Sequence, residues 1–106
     1  MQGPIGSHMV NINEELKVAY AAKAAIYVLS TATPKSAVLQ TLNKAYHIAV
    51  LNLSGGGPLN EARGKVGISL SNLCHGHGPT TPERIDKAKR EIDDWIRELL
   101  LEAARP

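Results

Sequence analysis

The chain of 106 residues has no phenylalanine, one tryptophan, one cysteine and almost no charge through its middle. Without phenylalanine, alanine and branched aliphatics must fill the interior, with Trp95 and some of the three tyrosines as its bulk. A single cysteine excludes an internal disulfide framework and fits a reducing compartment. No apolar run reaches the length of about 18 residues that reads as a membrane-spanning helix. There is also no signal-peptide pattern, so a cytoplasmic protein that meets no membrane is expected. The formal charge of +2 is too small for the clustered Lys/Arg surface that a phosphate backbone demands.

The missing charge is unevenly spread. Between Ala45 and Pro82 only Glu61, Arg63 and Lys65 are ionised, and Ala45–Asn60 and Val66–Pro82 contain no ionised residue. A domain of this size buries roughly 60–70% of the surface of its unfolded chain. Two such segments exceed what one small core hides, and part of their surface is expected to meet a second chain.

Residues 1–9 read as a tag remnant, with Gly3-Pro4 like a protease scar and Gly6-Ser7-His8-Met9 like a cloning site, which leaves residues 10–106 as one domain. Three clusters of helix breakers divide it: Thr31–Pro34, Ser54–Pro58 and Gly76–Pro82. Each ends in a proline suited to the first position of a helix, where its missing N–H had no partner anyway. Thr33 and Thr81 precede two of these prolines as N-caps, and Asn13 with Glu14 and Glu15 supplies a cap and acids for the first helix. Helices are therefore predicted over roughly 14–31, 34–54, 59–75 and 82–104, with no strand-like alternation. Short connections make neighbours antiparallel, so the expected fold is a small all-α, antiparallel four-helix bundle.

Helical spacing predicts the inward faces. In the last helix Ile85, Ala88, Ile92, Trp95, Ile96, Leu99 and Ala103 share one face. The other face carries Glu83–Lys87, Asp86–Arg90 and Asp93–Arg97, acid before base four residues apart, as on a solvated surface. In the second helix Val38, Leu42, Tyr46, Ala49 and Leu53 group towards the core. The third has an apolar seam of Ala62, Val66, Leu70 and Leu73 beside a small-residue seam of Gly64, Gly67, Ser71 and Cys74. Glycine within a helix costs about 1 kcal/mol relative to alanine, so a close approach is expected there. The alanine-rich first helix, with Ala21, Ala22, Ala24 and Ala25, is the expected neighbour. Leu51 and Ile68 project away from these seams, with Ile48 at the edge, and the three are candidate partner-facing residues.

Little in the chain has the pattern of a reactive centre. Cys74-His75-Gly76-His77 is the one metal-capable cluster, and it lacks the second ligand pair of a structural zinc site. Glycine and histidine there suit a helix terminus instead. Cys74, near a helix C-terminus, is poorly placed for a stabilised thiolate. His47 lies with Gln40, Asn43 and Lys44 on a polar face, without the lysine and glycine that follow the histidine in histidine-phosphotransfer domains. Asn72 and His77, in Ser71-Asn72-Leu73-Cys74-His75-Gly76-His77, resemble the Asn and His places of the HEPN-type helical-bundle motif. Ser71 stands where that motif has arginine, and Arg63 lies too far upstream. The resemblance implies a non-catalytic relative that dimerises through its helices.

No catalytic residue, cofactor or metal is therefore expected. The predicted function is a non-enzymatic interaction module, a small regulator or adaptor acting as a homodimer or on another protein. An antitoxin- or immunity-like bundle that sequesters one partner is a variant of this reading. Two other classes compete. A nucleic-acid binder would gather Lys17, Lys23, Lys35 and Lys44 on one side, and a hydrolase or nuclease would build a pocket around His75 or His77.

Overall fold

A computed structural model describes residues 11–29, 36–75 and 80–105. They form four helices: α1 (Ile12–Tyr27), α2 (Ser36–Leu51), α3 (Pro58–His75) and α4 (Pro82–Ala103). The chain is an all-α four-helix bundle, and no strand occurs among the described residues. Cross-helix contacts fix the directions. Along α2 and α3, Leu39 meets Cys74, Val50 meets Gly67, and Asn52 meets Arg63, so the two helices run antiparallel. Between α1 and α4, Glu15 meets Trp95, Lys23 meets Asp93, and the Lys89 ammonium lies over the Tyr27 ring, again antiparallel.

The helix ends follow local chemistry. Thr81 Oγ1 accepts from the Arg84 N–H at 3.2 Å, with Pro82 at the first position of α4, as the sequence predicts. The cap of α1 is Asn11 rather than Asn13: Asn11 Oδ1 accepts from the Glu14 N–H at 2.8 Å. The helix thus starts two residues earlier than the Asn13 cap implies, and Glu14 and Glu15 sit two positions further along its first turn. The predicted Thr33 cap lies outside the described residues. α1 and α2 both stop short of the predicted ends, because each closes with tight i to i−3 bonds. Leu29 N–H donates to Ile26 O and Leu53 N–H to Val50 O. The α2–α3 turn uses glycine at two left-handed positions, Gly55 (φ 68°) and Gly57 (φ 98°). Asn60 fastens it, accepting from the Ser54 N–H at 2.7 Å and donating to the Gly55 carbonyl at 2.9 Å.

The helices form a ring in which α1 packs on α2 and α4, and α3 packs on the same two. α1 and α3 are therefore diagonal, which corrects the expected close contact between their alanine and glycine faces. Short connections make each helix touch its neighbours in sequence, and the last helix closes the ring on the first. Diagonal helices then meet only through long side chains.

The apolar stripes pack into one core. Ile85, Ala88, Ile92, Trp95, Ile96 and Leu99 of α4 are buried, as are Ala62, Val66, Leu70 and Leu73 of α3, Leu42 and Ala49 of α2, and Ala19, Ala22 and Ile26 of α1. Two stripe ends differ from expectation: Ala103 is exposed in the last turn of α4, and Leu53 is 39% exposed beyond the end of α2. The charged face of α4 also pairs differently. Asp93 reaches Lys23 of α1 at 3.0 Å, while Arg97 turns to Asp94 at 3.3 Å and Glu98 at 3.6 Å. A neighbouring helix offers Asp93 a cation that spacing along α4 alone does not reveal. Among the described residues no helix is long and apolar enough to cross a membrane.

Candidate functional site: a buried polar quartet and an uncharged groove

At the end of the bundle where α2 turns into α3, each helix sends one polar group inward. Glu15 of α1 is fully buried and its carboxylate accepts four hydrogen bonds. Arg63 of α3 donates in bidentate fashion, Nε to Oε2 and Nη2 to Oε1, both at 2.8 Å. Asn52, immediately after α2, donates to Oε1 at 2.9 Å, and Trp95 Nε1 of α4 donates to Oε2 at 2.8 Å. Arg63 Nη1 also donates to the Asn52 carbonyl at 3.0 Å, fastening the end of α2. A buried ion pair offsets its desolvation only when geometry is good and the remaining polar atoms are bonded. Here each carboxylate oxygen receives two N–H groups. A carboxylate so saturated and sealed from solvent is a structural tie and has neither the lone pair nor the access of a general base.

Sequence reasoning missed this quartet, yet it carries a signal. Glu15 continues the stripe of Ala19, Ala22 and Ile26, and Asn52 that of Leu42, Ala45 and Ala49. Arg63 begins the stripe of Val66, Leu70 and Leu73. Three polar residues thus occupy core positions at the same end of three helices, beside the one indole of the chain.

The second feature lies on the face shared by α2 and α3. Tyr46, Val50 and Leu53 on one side and Gly64, Gly67, Ile68, Ser71 and Asn72 on the other enclose a groove of about 390 Å³. None of its lining residues is an acid, a lysine or an arginine. The small-residue seam predicted on α3 therefore faces this groove and α2. A Cβ at Gly64 would have no atom within 4 Å, and one at Gly67 would rest 3.5 Å from Val50 Cγ2, an ordinary contact. No family model matches the chain, and neither a curated protein nor a solved structure matches it significantly.

The candidate partner-facing residues are divided between faces. Ile68 is 61% exposed and forms part of the groove wall. Leu51 is 53% exposed and Ile48 half-buried, both on α2 outside the groove lining. Asn72 enters the groove lining, whereas His77, its counterpart in the HEPN-like pattern, lies outside the described residues.

Cys74, His75 and Asn43 line a separate hollow of about 260 Å³ between α2 and α3. The Cys74 Sγ lies 3.8 Å from the Leu39 carbonyl, and burial pushes the thiol above its ordinary range, towards the protonated form. His75 and His47 both flank Tyr46, with ring centroids at 5.7 Å and 5.1 Å. No group of three or more His, Cys, Asp or Glu side chains converges among the described residues. The lysines are likewise dispersed. Lys17 and Lys44 share a hollow between α1 and α2 with Glu14, Lys23 is paired with Asp93, and Lys35 lies outside the described residues.

Proposed function

We propose that this chain is a non-enzymatic protein-interaction module, a small regulator or adaptor that holds an uncharged apolar element of a protein in the α2/α3 groove. The observation that carries this reading is the groove itself: aliphatic walls, a glycine floor and no ionised lining residue, on a bundle whose other faces carry charge. Grooves of this kind accept one face of a helix, with affinity from a few apolar anchors. Three lining side chains, Val50, Leu53 and Ile68, are large hydrophobics left substantially exposed. A single cysteine suits a reducing compartment such as the cytoplasm. The nucleic-acid reading draws less support, because the lysines that would carry it are dispersed or already paired.

A photoreactive residue placed at position 68 or at position 101 tests the proposal in living cells. Leu101 is similarly exposed but lies on α4. Position 68 should cross-link to a discrete protein, the same chain or another, that position 101 does not capture. Identical cross-linking at the two positions would remove the groove as an interaction site.

A further inference from the structure

The stripe that α1 turns into the core is not the only apolar stripe on that helix. Glu15, Ala19, Ala22 and Ile26 are fully buried. Three residues further along, Val18, Ala22, Ala25 and Leu29 repeat the same spacing, with a valine at the place of the glutamate. Val18, Ala25 and Leu29 are half-buried against the edge of the core. A screw shift of α1 by three residues would exchange one stripe for the other, moving it about 4.5 Å along its axis and about a sixth of a turn around it. Alanine would then replace alanine at two of the four places, and leucine would replace isoleucine at the last. The sequence permits the extra length, since α1 ends at Tyr27 and the next helix breakers begin only at Thr31.

Apolar contacts discriminate poorly between these alignments. Hydrophobic burial has no direction, and a core filled with residues of suitable size loses uniqueness before it loses stability. The shift would carry Ile26 to the partly exposed place of Lys23 and break the Lys23–Asp93 pair, which is exposed and therefore contributes little. The four bonds to Glu15 discriminate sharply. Arg63 Nε and Nη2, Asn52 Nδ2 and Trp95 Nε1 all donate to its carboxylate at 2.8 to 2.9 Å. In the shifted alignment they would face the Val18 side chain, which offers no acceptor, and the guanidinium would be stranded in the interior.

We infer that the quartet is a register lock. α1 carries two apolar registers, and Arg63, Asn52 and Trp95 hold it in the one that brings the Glu15 carboxylate to their donors. A buried polar group fixes alignment in this way because every other alignment leaves it unpaired.

Moving the carboxylate by three residues tests the lock. In Glu15→Ala/Val18→Glu the four donors are satisfied only if α1 shifts. Trp95 is the single tryptophan, so its indole N–H gives one unambiguous resonance. In the parent it should show a nuclear Overhauser contact to the side chain at position 15, to which it donates at 2.8 Å. In the moved variant that contact should pass to the side chain at position 18. The urea midpoint should also return most of the way from that of Glu15→Ala to that of the parent. A contact that stays at position 15, or a moved variant no more stable than Glu15→Ala alone, overturns the proposal. Glu15→Leu/Arg63→Met provides a second test, because it removes the lock and leaves both stripes apolar. Its α1 amides should give two sets of resonances or exchange broadening, or one set in which Trp95 contacts position 18. One sharp set with the indole against position 15 would show that packing alone fixes the register, and the lock would be refuted.

Discussion

Arg63 and Ile68 lie five residues apart on α3, and each occupies the environment usually associated with the other. The arginine is 7% exposed in the bundle interior, while the isoleucine is 61% exposed on its surface. Arg63 is accommodated because Glu15 and the Asn52 carbonyl take three of its N–H groups. Ile68 is largely exposed, and α3 leaves it on the wall of the groove beside Gly64. Hydrophobicity alone sorts neither residue. Burial of a charge follows from whether its hydrogen bonds can be completed, and exposure of an aliphatic follows from where the helix rotation leaves it. The Arg63 end should thus be costly to disturb, and the Ile68 face nearly neutral for folding.

The largest effect is expected at Glu15. Glu15→Leu would strand the Arg63 cation in the core and should cost about 3–5 kcal/mol, measured by urea unfolding. Since small domains are stable by only about 5–15 kcal/mol, the variant should be close to unfolding at ordinary temperature. Adding Arg63→Met should recover a large part of that loss, because it removes the unpaired charge. If the double variant is no better than the single, shape and not charge holds this end together, and the contrast with Ile68 fails.

Trp95→Phe deletes one donor to Glu15 while leaving three. It should cost about 1–3 kcal/mol, part from the lost hydrogen bond and part from lost volume. At the groove, Ile68→Ser should change monomer stability by no more than about 0.5 kcal/mol. Gly64→Ala should raise it by up to about 1 kcal/mol, as nothing opposes the added methyl. A loss for Ile68→Ser comparable to that for Trp95→Phe would mean that the isoleucine belongs to the monomer core.

The smallest effect concerns Cys74, towards the other end of the same α2/α3 face. Burial disfavours its thiolate, so the folded chain keeps this proton to higher pH than the unfolded chain. The associated stability is complete below the unfolded thiol pKa and is lost as pH rises through the folded one. Alkylation by iodoacetamide near pH 8.5 should accordingly be slower in the native protein than in urea. Equal rates would show a thiol as open as the groove.

The helices, the Thr81-Pro82 start of α4 and the inward faces of α3 and α4 were legible because they depend on spacing within one segment. Thr81, Pro82 and the stripe from Ile85 to Leu99 are local facts about a chain with 3.6 residues per turn. The Glu15–Arg63 pair was not legible, since its partners are 48 residues apart and periodicity says nothing about which helices become diagonal. The expected contact between the seams of α1 and α3 failed for the same reason: Gly64 and Gly67 reveal a small face without revealing what it faces. The positions were nevertheless marked. A glutamate aligned with Ala19, Ala22 and Ile26, and an arginine aligned with Val66, Leu70 and Leu73, are two opposite charges on otherwise apolar stripes, each in want of the other. The groove was half legible: Ile68 projects from its helix on spacing alone, but its association with Tyr46 and Val50, and its separation from Leu51, come from how α2 and α3 pack.

The quartet also bears on how the chain reaches its native state. Its four members come from four successive portions of the chain, and the bond from Trp95 to Glu15 spans 80 residues. A partly assembled bundle lacking α1 would bury Arg63 without its carboxylate, and one lacking α3 would bury Glu15 without its guanidinium. Such intermediates carry the penalty of an unpaired interior charge, while only the complete bundle removes it. The barrier to assembly should fall late, after all four helices have converged, and folding should be all-or-none. Native-state hydrogen exchange would display this as one shared opening free energy for the central amides of α1, α2, α3 and α4, with no helix separating as an independent unit.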